Sequence, residues 1–500
     1  MNKFYITTAI AYVNAPPHIG HALEFIQADV LARYHRLKGR DTYFLTGTDE
    51  HGVKIYEVAK ERGVETQVVV DENAEIFVSL KETLGLSNDD FIRTTQERHK
   101  AGAKKLWEKM AEAGDIYKDT YSGLYCVGCE AYVGEKDLDE NGMCPNHMKK
   151  PEVLEEENYF FKLSKYSDKI REAIESDRLK IVPESRKNEM LNLIGEGLHD
   201  VSFSRPKEIL PWGIEVPGDE NQVMYVWGDA LSNYITALGY GEDSEIYKKY
   251  WPADVHLIGK DILRFHAGVW IGMLMSAGVE IPRAVYVHGF VTSEGKKMSK
   301  SLGNVVDPLE YVEKYGADAL RYFLMREIPT ADDGDFSHGR FVDVYNSELA
   351  NGLGNLVNRV VMMTEKYAES SVPKKAGSDV HDDMKEYFDK YDAAIEKFDI
   401  KETCDVVMRV VDYGNKYLDD KKPWILAKEG KDDELMEVLY RSLDILRYVC
   451  MFIAPIIPET TRKIIDQLGL EVSEEFSKWS ELEEGGSVSV SDALFPRLEE

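Results

Sequence analysis

Two histidines stand three residues apart in NAPPHIGHALEF, from Asn14 to Phe25, where a helix is predicted to begin after two prolines. The first turn of a helix exposes unpaired backbone N–H groups and carries a partial positive charge, which favours an anionic ligand. His18 and His21 would add side-chain donors, and Gly20 would let a flat nucleotide approach the backbone. This pattern predicts that the first turn of the helix binds phosphate. Two polar residues on the surface of an amphipathic helix are the alternative interpretation.

A second cluster of cations lies in SEGKKMSKSLGN, from Ser293 to Asn304, directly after the apolar run AVYVHGF. Lys296, Lys297 and Lys300 stand there among small residues, from which mobile ammonium groups would reach polyphosphate oxygens. The spacing of glycines and lysines is not that of a P-loop. A solvated basic turn is the alternative interpretation.

The elements that must position these residues follow a strand, helix, strand order. KFYITTAI and DTYFLTGT are typical of buried strands, and the stretch from His18 to about Lys38 is predicted to be helical. This order predicts a parallel sheet, whose ligands gather at the carboxyl ends of the strands. Similar alternation resumes at ADVHLIGKDILRFHAGVWIGMLM. After about Tyr345 the apolar residues recur at helical spacing, so we expect a helical bundle there.

Composition limits the possible classes of protein. Five hundred residues with 43% apolar content are expected to form two to four domains. The formal net charge of -29 argues against a nucleic-acid partner, unless basic residues such as Lys421, Lys422 and Lys428 gather on one face. Five cysteines do not suggest a disulfide framework. With no signal peptide or membrane span visible, we expect a soluble cytoplasmic protein and no membrane partner.

Four sulfur and nitrogen ligands lie in a turn-rich stretch between the two α/β regions. Cys126 and Cys129 form one CxxC pair, and Cys144 and His147 form a second pair with the same spacing. Two short pairs joined by a loop predict a closed tetrahedral zinc site, and a closed site is structural rather than catalytic. A redox CxxC is the alternative, but it explains neither Cys144 nor His147.

HIGH at 18–21 with KMSKS at 297–301, separated by an interrupted parallel sheet, resembles the class I aminoacyl-tRNA synthetases. The chain is similar to the methionyl-tRNA synthetase family over nearly its whole length, in AIAYVNAPPHIGH, TGTDEHG, YVWGDALSNY, GKDILRFH and KPWILAK. The resemblance implies a Rossmann-type α/β catalytic domain with a zinc-binding insertion, followed by an α-helical anticodon-binding domain. The implied segments are 1–115 and 216–290 for the two catalytic halves, 116–215 for the insertion, 291–345 for the KMSKS loop and stem-contact region, and 346–500 for the anticodon domain.

The same resemblance implies activation of methionine with ATP and Mg²⁺, then transfer of methionine to tRNA(Met), initiator tRNA included. A monomer is expected, because no dimerising tRNA-binding barrel follows DALFPRLEE. The implied catalytic residues are His18, His21, Lys297 and Lys300, and the implied ATP contacts are those four with Gly20, Gly259 and Asp261. The implied methionine pocket is Ile10, Tyr12, Asp49, Trp227, Ala230, Leu231, Tyr234 and His266, and the implied anticodon readers are Asn355, Arg359 and Trp424.

Two other functions stay open at this point. A class I synthetase for another apolar amino acid would share the motifs, since the pattern alone does not separate a methionine pocket from a leucine or isoleucine pocket. A large editing insertion would be expected in that case, and the zinc stretch accounts for most of the insertion here. A non-catalytic tRNA-binding protein is the other alternative, and the retained histidines and lysines argue against it.

Overall fold

The computed structural model describes residues 2–126, 131–134, 138–145, 148–298, 304–375, 380–471 and 479–499. Its first part alternates strands and helices, as the apolar pattern predicts, and KFYITT is buried at every position. The elements are β1 (Lys3–Thr8), β2 (Ala11–Tyr12), α1 (Ile19–Leu37), β3 (Asp41–Asp49), α2 (Val53–Arg62), α3 (Thr66–Thr83), β4 (Asp90–Arg93) and α4 (Glu97–Glu112).

Two long strands, several short strands and two helices make up the middle of the chain, which contains the turn-rich stretch. They are β5 (Ile116–Cys126), β6 (Ala131–Val133), β7 (Glu152–Phe161), α5 (Ser167–Glu175), β8 (Lys180–Val182), α6 (Glu184–Glu196), β9 (Val201–Ser202), β10 (Ser204–Pro206), β11 (Glu215–Val216) and β12 (Asp219–Met224). The long strands β5 and β7 pair antiparallel and carry β6 and β9 on their edges.

The second α/β region follows and leads into the KMSKS segment. Its elements are α7 (Val226–Ala230), α8 (Asn233–Thr236), α9 (Glu245–Tyr250), β13 (Val255–Gly259), α10 (Trp270–Ser276), β14 (Ala284–His288), β15 (Val291–Ser293), β16 (Lys296–Lys297), α11 (Pro308–Tyr315), α12 (Ala317–Glu327), β17 (Gly334–Phe336) and α13 (His338–Val344).

One parallel sheet organises both α/β regions. Its strand order is β2–β3–β1–β13–β14–β8, with β4 also paired to β3. The pairing of β1 with β13 brings together strands about 250 residues apart, and every pair in this sheet is parallel. The predicted parallel sheet is therefore confirmed. Strand β8 completes it by pairing with β14, although its residues lie within the range expected for the insertion.

Alternating side chains of β1 enter two cores. Phe4 and Ile6 pack with α1 in a core that continues into the C-terminal helices, and Tyr5 packs with the helices on the opposite face of the sheet. Such alternation is the normal consequence of the two-residue period of a strand. Because one core is shared, α1 lies between the sheet and the C-terminal helices.

The last part of the chain is helical, as predicted from about Tyr345 onward. A π-helical stretch, Tyr345–Gly354, leads into α14 (Asn355–Ala368), which is followed by α15 (Val380–Glu396), α16 (Ile400–Lys421), α17 (Pro423–Glu429), α18 (Asp432–Ile453) and α19 (Pro458–Gln467). None of the helices in the described ranges is long and apolar enough to cross a membrane.

Candidate active site

Helix α1 begins beside the carboxyl ends of β1 and β3, and His18 is its N-cap residue. The His18 Nδ1 accepts a hydrogen bond from the backbone N–H of Gly20 at 3.1 Å, and the His21 Nδ1 accepts one from the backbone N–H of His18 at 3.1 Å. A ring nitrogen that accepts an N–H carries no proton, so each neutral imidazole has its proton on Nε2. Both histidines therefore offer an Nε2–H donor at the start of the helix.

Burial lowers the pKa of His18. Burial also lowers the pKa of His21 to well below its ordinary value, and the neighbouring His18 and His288 lower it further. Both imidazoles are consequently neutral near pH 7. They can donate hydrogen bonds to phosphate oxygens, but they add no positive charge, so charge on a bound polyphosphate must be balanced by other groups.

Gly20 lies so close to the ring of His18 that a side chain at this position would collide with it. A Cβ at this position would lie 2.9 Å from Cε1 and 3.0 Å from Nδ1 of the His18 ring. These distances are too short for a normal contact, so any larger residue would push the capping ring away. Glycine at this position therefore keeps the His18 side chain in place as the N-cap, and it also leaves the backbone accessible to a ligand.

The carboxyl end of β13 carries two more of the residues expected at ATP. Gly259 ends the strand, and the 3₁₀ turn Lys260–Ile262 follows it. A Cβ on Gly259 would lie 2.9 Å from Oδ1 of Asp261, so this carboxylate lies directly over the glycine backbone. Lys260 points away from this contact and pairs with Asp333 at 2.7 Å.

Sequence analysis missed Glu24 and His288, which the fold brings to the same edge of the sheet. His288 is the last residue of β14, and its Nε2 lies 3.0 Å from Oε2 of Glu24 on α1. Oε1 of Glu24 is buried and has no hydrogen-bond partner among the described residues. The spacing in the sequence could have indicated Glu24, because this residue follows His21 by three positions and therefore lies on the same face of the helix.

A buried cluster of aromatic and apolar side chains contains several of the residues expected to bind methionine. The Tyr234 hydroxyl is 2.7 Å from Nε2 of His266, whose Nδ1 lies 3.0 Å from the carbonyl oxygen of Ile262. The carbonyl can only accept, so His266 is protonated on Nδ1 and accepts the phenol proton on Nε2. Burial lowers the pKa of His266 to about 4, which keeps the ring neutral.

The other residues expected in the methionine pocket lie on the stretch 227–231 and at the paired strands β2 and β3. Trp227 stacks on Phe265, a residue not predicted, with ring centroids 3.8 Å apart, and Ala230 and Leu231 are buried on the same stretch. Tyr12 and Asp49 are directly paired across β2 and β3. Ile10 is half-buried between β1 and β2 and packs against the same core as Tyr234.

Asp229, also missed, connects the two sides of this pocket. It is fully buried on α7 and accepts from His51 Nδ1 at 2.6 Å and from His99 Nε2 at 2.7 Å. Burial raises the pKa of Asp229, but the two histidines outweigh it and hold the pKa at about 2. His51 follows Asp49 by two residues, so this ionised carboxylate connects α7, which carries Trp227, to the segment that follows Asp49 at the end of β3. The sequence could have indicated Asp229, because a carboxylate inside the apolar run YVWGDAL is expected to be buried and to need a partner.

The lysine segment lies next to β14. β15 pairs antiparallel with β16, with Ser293 opposite Lys296 and Thr292 opposite Lys297, and it pairs parallel with β17. The hairpin thus begins directly after His288 and extends from the carboxyl edge of the sheet. The side chain of Lys297 and the whole of Lys300 lie outside the part of the chain that the structure describes.

Two of the four predicted zinc ligands, Cys129 and His147, lie outside the described residues. Cys126 ends β5, and Cys144 lies in a turn closed by hydrogen bonds from Cys144 N to Lys149 O at 2.9 Å and from Met148 N to Cys144 O at 2.8 Å. Both cysteines are buried. Among the described residues no group of three potential ligands forms a metal site, so the zinc site stays a prediction.

The three predicted anticodon residues lie on one surface of the helical region. The Arg359 guanidinium is 5.7 Å from the centre of the Trp424 ring and forms an ion pair with Asp419 at 2.6 Å. Asn355, one turn before Arg359, is exposed and donates to Asn415 at 3.4 Å. Trp424 is half-buried rather than part of the core, and the three expected basic residues, Lys421, Lys422 and Lys428, are exposed around it.

Two family models match the chain and together span most of its length. The model described as "tRNA synthetases class I (M)" matches residues 4–151 and 140–361, and the model for the "Anticodon binding domain of methionyl tRNA ligase" matches residues 368–500. The chain belongs to the methionyl-tRNA synthetase family.

Individual members of the methionyl-tRNA synthetase family are similar over the full chain. The methionine–tRNA ligase of Caldanaerobacter subterraneus subsp. tengcongensis is 45% identical over 508 residues, which are 99% of this chain and 79% of that protein. The enzyme of Brucella suis is 44% identical over 513 residues, which are 100% of this chain and 98% of that protein.

Solved structures of this family have the same fold. Methionyl-tRNA synthetase of Mycobacterium tuberculosis in complex with methionyl-adenylate has a TM-score of 0.94 and 39% identity, over 99% of this chain and 100% of that one. The free state of the same enzyme has a TM-score of 0.88 and 36% identity, over 100% and 99% of the two chains. Membership of the methionyl-tRNA synthetase family thus rests on sequence and on fold.

Proposed function

We propose that this chain joins methionine to ATP as methionyl-adenylate, releasing pyrophosphate, and then transfers the methionyl group to the 3′ end of tRNA(Met), initiator tRNA included. One observation carries the assignment of its residues. The start of α1, the end of β13 and the Tyr234–His266 pocket all lie at the carboxyl edge of one parallel sheet, which is where ligands bind in open α/β folds.

Methionine fits the chemistry of the proposed pocket. Its thioether is apolar and polarisable, and it suits aromatic walls with few polar atoms. The Tyr234 hydroxyl is already donated to His266, so it presents lone pairs and no spare proton to a ligand. Asp49 at the end of β3 would hold the substrate ammonium in a charge-assisted hydrogen bond.

In the proposed first step, a carboxylate oxygen of methionine attacks the α-phosphorus of ATP, and the bond from that phosphorus to the bridging oxygen of pyrophosphate breaks. The carboxylate is already ionised, so no general base is needed, and stabilisation of growing phosphate charge is the main requirement. His18 and His21 would supply neutral Nε2–H donors, and Lys297 and Lys300 would supply positive charge. Mg²⁺ bound to ATP would neutralise further phosphate charge.

Gly259, Asp261 and Glu24 are proposed to hold the ribose. Asp261 lies over the bare backbone of Gly259, and the buried Oε1 of Glu24 is an acceptor without a partner among the described residues. A buried carboxylate oxygen without a hydrogen bond is unfavourable. A ribose hydroxyl would supply the missing donor.

A structural zinc ion is proposed to be bound by Cys126, Cys129, Cys144 and His147. The two ligands that are described fit this site, because both are buried thiols and one lies in a tight turn closed by backbone hydrogen bonds. The expected segment boundaries, the monomeric state and the cytoplasmic location stay predictions.

Anticodon recognition is proposed for Asn355, Arg359 and Trp424. Arg359 and Trp424 are in contact and only half-buried, so an unpaired base could stack on the indole while the guanidinium bonds its edge. Arg359 would first have to exchange its ion pair with Asp419 for the base.

Amino-acid-dependent ATP–pyrophosphate exchange with all twenty amino acids tests the function directly. We expect exchange with methionine alone, followed by charging of tRNA(Met). Exchange with leucine or isoleucine but not methionine would make the chain another class I synthetase. Loss of all exchange with retained tRNA binding would favour the non-catalytic alternative.

A further inference from the structure

His288 has hydrogen-bond acceptors at both of its ring nitrogens. Nδ1 lies 2.7 Å from the carbonyl oxygen of Gly289, and Nε2 lies 3.0 Å from the carboxylate oxygen Oε2 of Glu24. The ring is only 6% exposed, so water does not replace either partner. An imidazole can donate to two acceptors only when it carries both protons and a positive charge. The carbonyl of Gly289 can only accept, so Nδ1 carries a proton, and a second proton lies between Nε2 and the carboxyl group of Glu24; when it is on Nε2, the pair is a buried imidazolium and a carboxylate.

The titratable groups that face His288 come from two elements and are mostly acidic. Glu24 and His21 project from α1, and Asp261 projects from the turn after β13. Two carboxylates beside a bound triphosphate would repel it. His21 cannot compensate them, because burial keeps it neutral. Among the described residues that face these two carboxylates, His288 carries the positive charge, which offsets part of the negative charge of Glu24 and Asp261.

We propose that His288 is a positioning residue for nucleotide binding: as an imidazolium it holds Oε2 of Glu24, which keeps the carboxylate ionised and leaves Oε1 to accept a hydrogen bond from a ribose hydroxyl of ATP. This inference rests on the proposed function, because it assigns a role within the same nucleotide site. His288 acts through Glu24 and does not itself contact the reacting atoms.

The protonation equilibria of the pair agree with this arrangement. Burial lowers the pKa of His288, but the hydrogen bond and charge of Glu24 outweigh it, so the pKa is raised above its ordinary value. Burial raises the pKa of Glu24, and His288 opposes that effect. The ion pair is intact between these two raised pKa values. As the pH rises through the pKa of His288, the imidazolium loses a proton and the pair is lost.

The test compares ATP with 2′-deoxyATP and 3′-deoxyATP in methionine-dependent pyrophosphate exchange by the full chain. The wild type should prefer ATP over the analogue that lacks the contacted hydroxyl. Glu24→Gln should reduce that preference by about 10- to 100-fold, the usual effect of losing a hydrogen bond to a charged group. His288→Gln should reduce it similarly, and the double variant no further, because both changes break one interaction. KM for methionine should stay unchanged, as in the control His199→Gln, which alters an exposed histidine.

A pH series gives a readout that a purely structural role would not change. The measured quantity is kcat/KM for ATP divided by kcat/KM for the deoxy analogue. Titration of the lysines and of the phosphates changes both values equally, so its effect cancels in this ratio. In the wild type this ratio should fall as the pH rises through the raised pKa of His288, and in His288→Gln it should be flat. If thermal unfolding shows that His288→Gln does not fold, the pH series of the wild type alone tests the proposal.

Two outcomes would contradict the inference while leaving the proposed function intact. One is His288→Gln with wild-type preference for ATP over both analogues, and the other is a wild-type ratio that does not depend on pH. Failure of the wild type to exchange pyrophosphate with methionine would instead overturn the proposed function.

Discussion

Arg321 on α12 lies 2.7 Å from Asp29 on α1, and neither side chain is exposed to solvent. The same guanidinium donates to the carbonyl oxygens of Leu84, Pro455 and Ile456. Helix α1 begins with the candidate ATP-binding histidines, and residues 455–456 join α18 to α19 in the helical region. This ion pair and its hydrogen bonds therefore fasten the helix of the candidate active site to the connection between α18 and α19 in the helical region.

Replacing Arg321 by Met should destabilise the protein by about 3 to 5 kcal/mol, because removal of one partner leaves a buried charge and unpaired carbonyl oxygens. Thermal and urea unfolding measure the loss. Arg462→Met, which changes an exposed arginine on α19, is the control and should be neutral. Equal stability of the two variants would show that the buried pair contributes nothing.

The pair also predicts a direction for acid sensitivity. Burial raises the pKa of Asp29, but Arg33 and Arg321 outweigh it and hold the pKa at about 2. An unfolded aspartate titrates near 4, so Asp29 stabilises the fold above about pH 4 and loses this contribution as the pH falls toward 2. Between pH 6 and pH 3, Asp29→Asn should lose less stability than the wild type in urea unfolding. A parallel pH dependence of both proteins would contradict this.

Tyr234→Phe should weaken methionine binding by roughly tenfold, because Nε2 of His266 then becomes a buried acceptor without a donor. KM for ATP should be unaffected, and equilibrium binding of methionine measures the change. Since the pKa of His266 is about 4, KM for methionine should also be independent of pH from about 6 to 8. A variant with normal methionine binding would remove this pair from the pocket.

Lys300→Ala should slow adenylate formation about a hundredfold, which corresponds to about 3 kcal/mol of lost stabilisation of phosphate charge in the transition state. Methionine binding should change little, because its ammonium and side chain are proposed to lie in a different pocket. Rapid-quench measurement of adenylate tests this, with Lys314→Ala on α11 as a surface control. A wild-type rate in Lys300→Ala would show that the role assigned to this lysine is wrong.

Trp424→Ala should preserve pyrophosphate exchange and lower aminoacylation efficiency by about one to two orders of magnitude, the usual value of a lost base–aromatic stack. The half-buried position of the indole favours this over a core role, in which truncation would mainly cost stability. Ile425→Ala removes an exposed apolar side chain from the same helix and serves as the control. Equal loss of both activities with a lowered Tm would instead assign Trp424 to the core.

One zinc ion per chain is expected by elemental analysis of the native protein. Cys144→Ser should lose the metal and unfold the insertion, because a closed ligand set contributes folding energy directly. Cys404→Ala, which changes a buried cysteine in the helical region, should keep the metal. Native protein without zinc would contradict the predicted site.

The sequence by itself determined those features that depend on neighbours along the chain. The start of α1 at His18 was predictable because a cap needs only residues within one turn, and His18 and His21 bond to backbone N–H groups within that turn. The parallel sheet and the helical C-terminal region were predictable from apolar periods of similarly short range. The resemblance to a family then supplied the candidate pocket residues and the candidate anticodon residues, whose roles stay predictions.

The tertiary structure alone decided which distant groups meet. Glu24 and His288 are separated by 264 residues, and Asp29 and Arg321 by 292. Their meeting depends on β13 pairing with β1, on β14 pairing with β13, and on α12 packing against α1. Strand order and helix packing follow from the burial of the whole core, and no local spacing encodes them. Glu24 pairs with His288, and Asp29 pairs with Arg321, only when that core has formed.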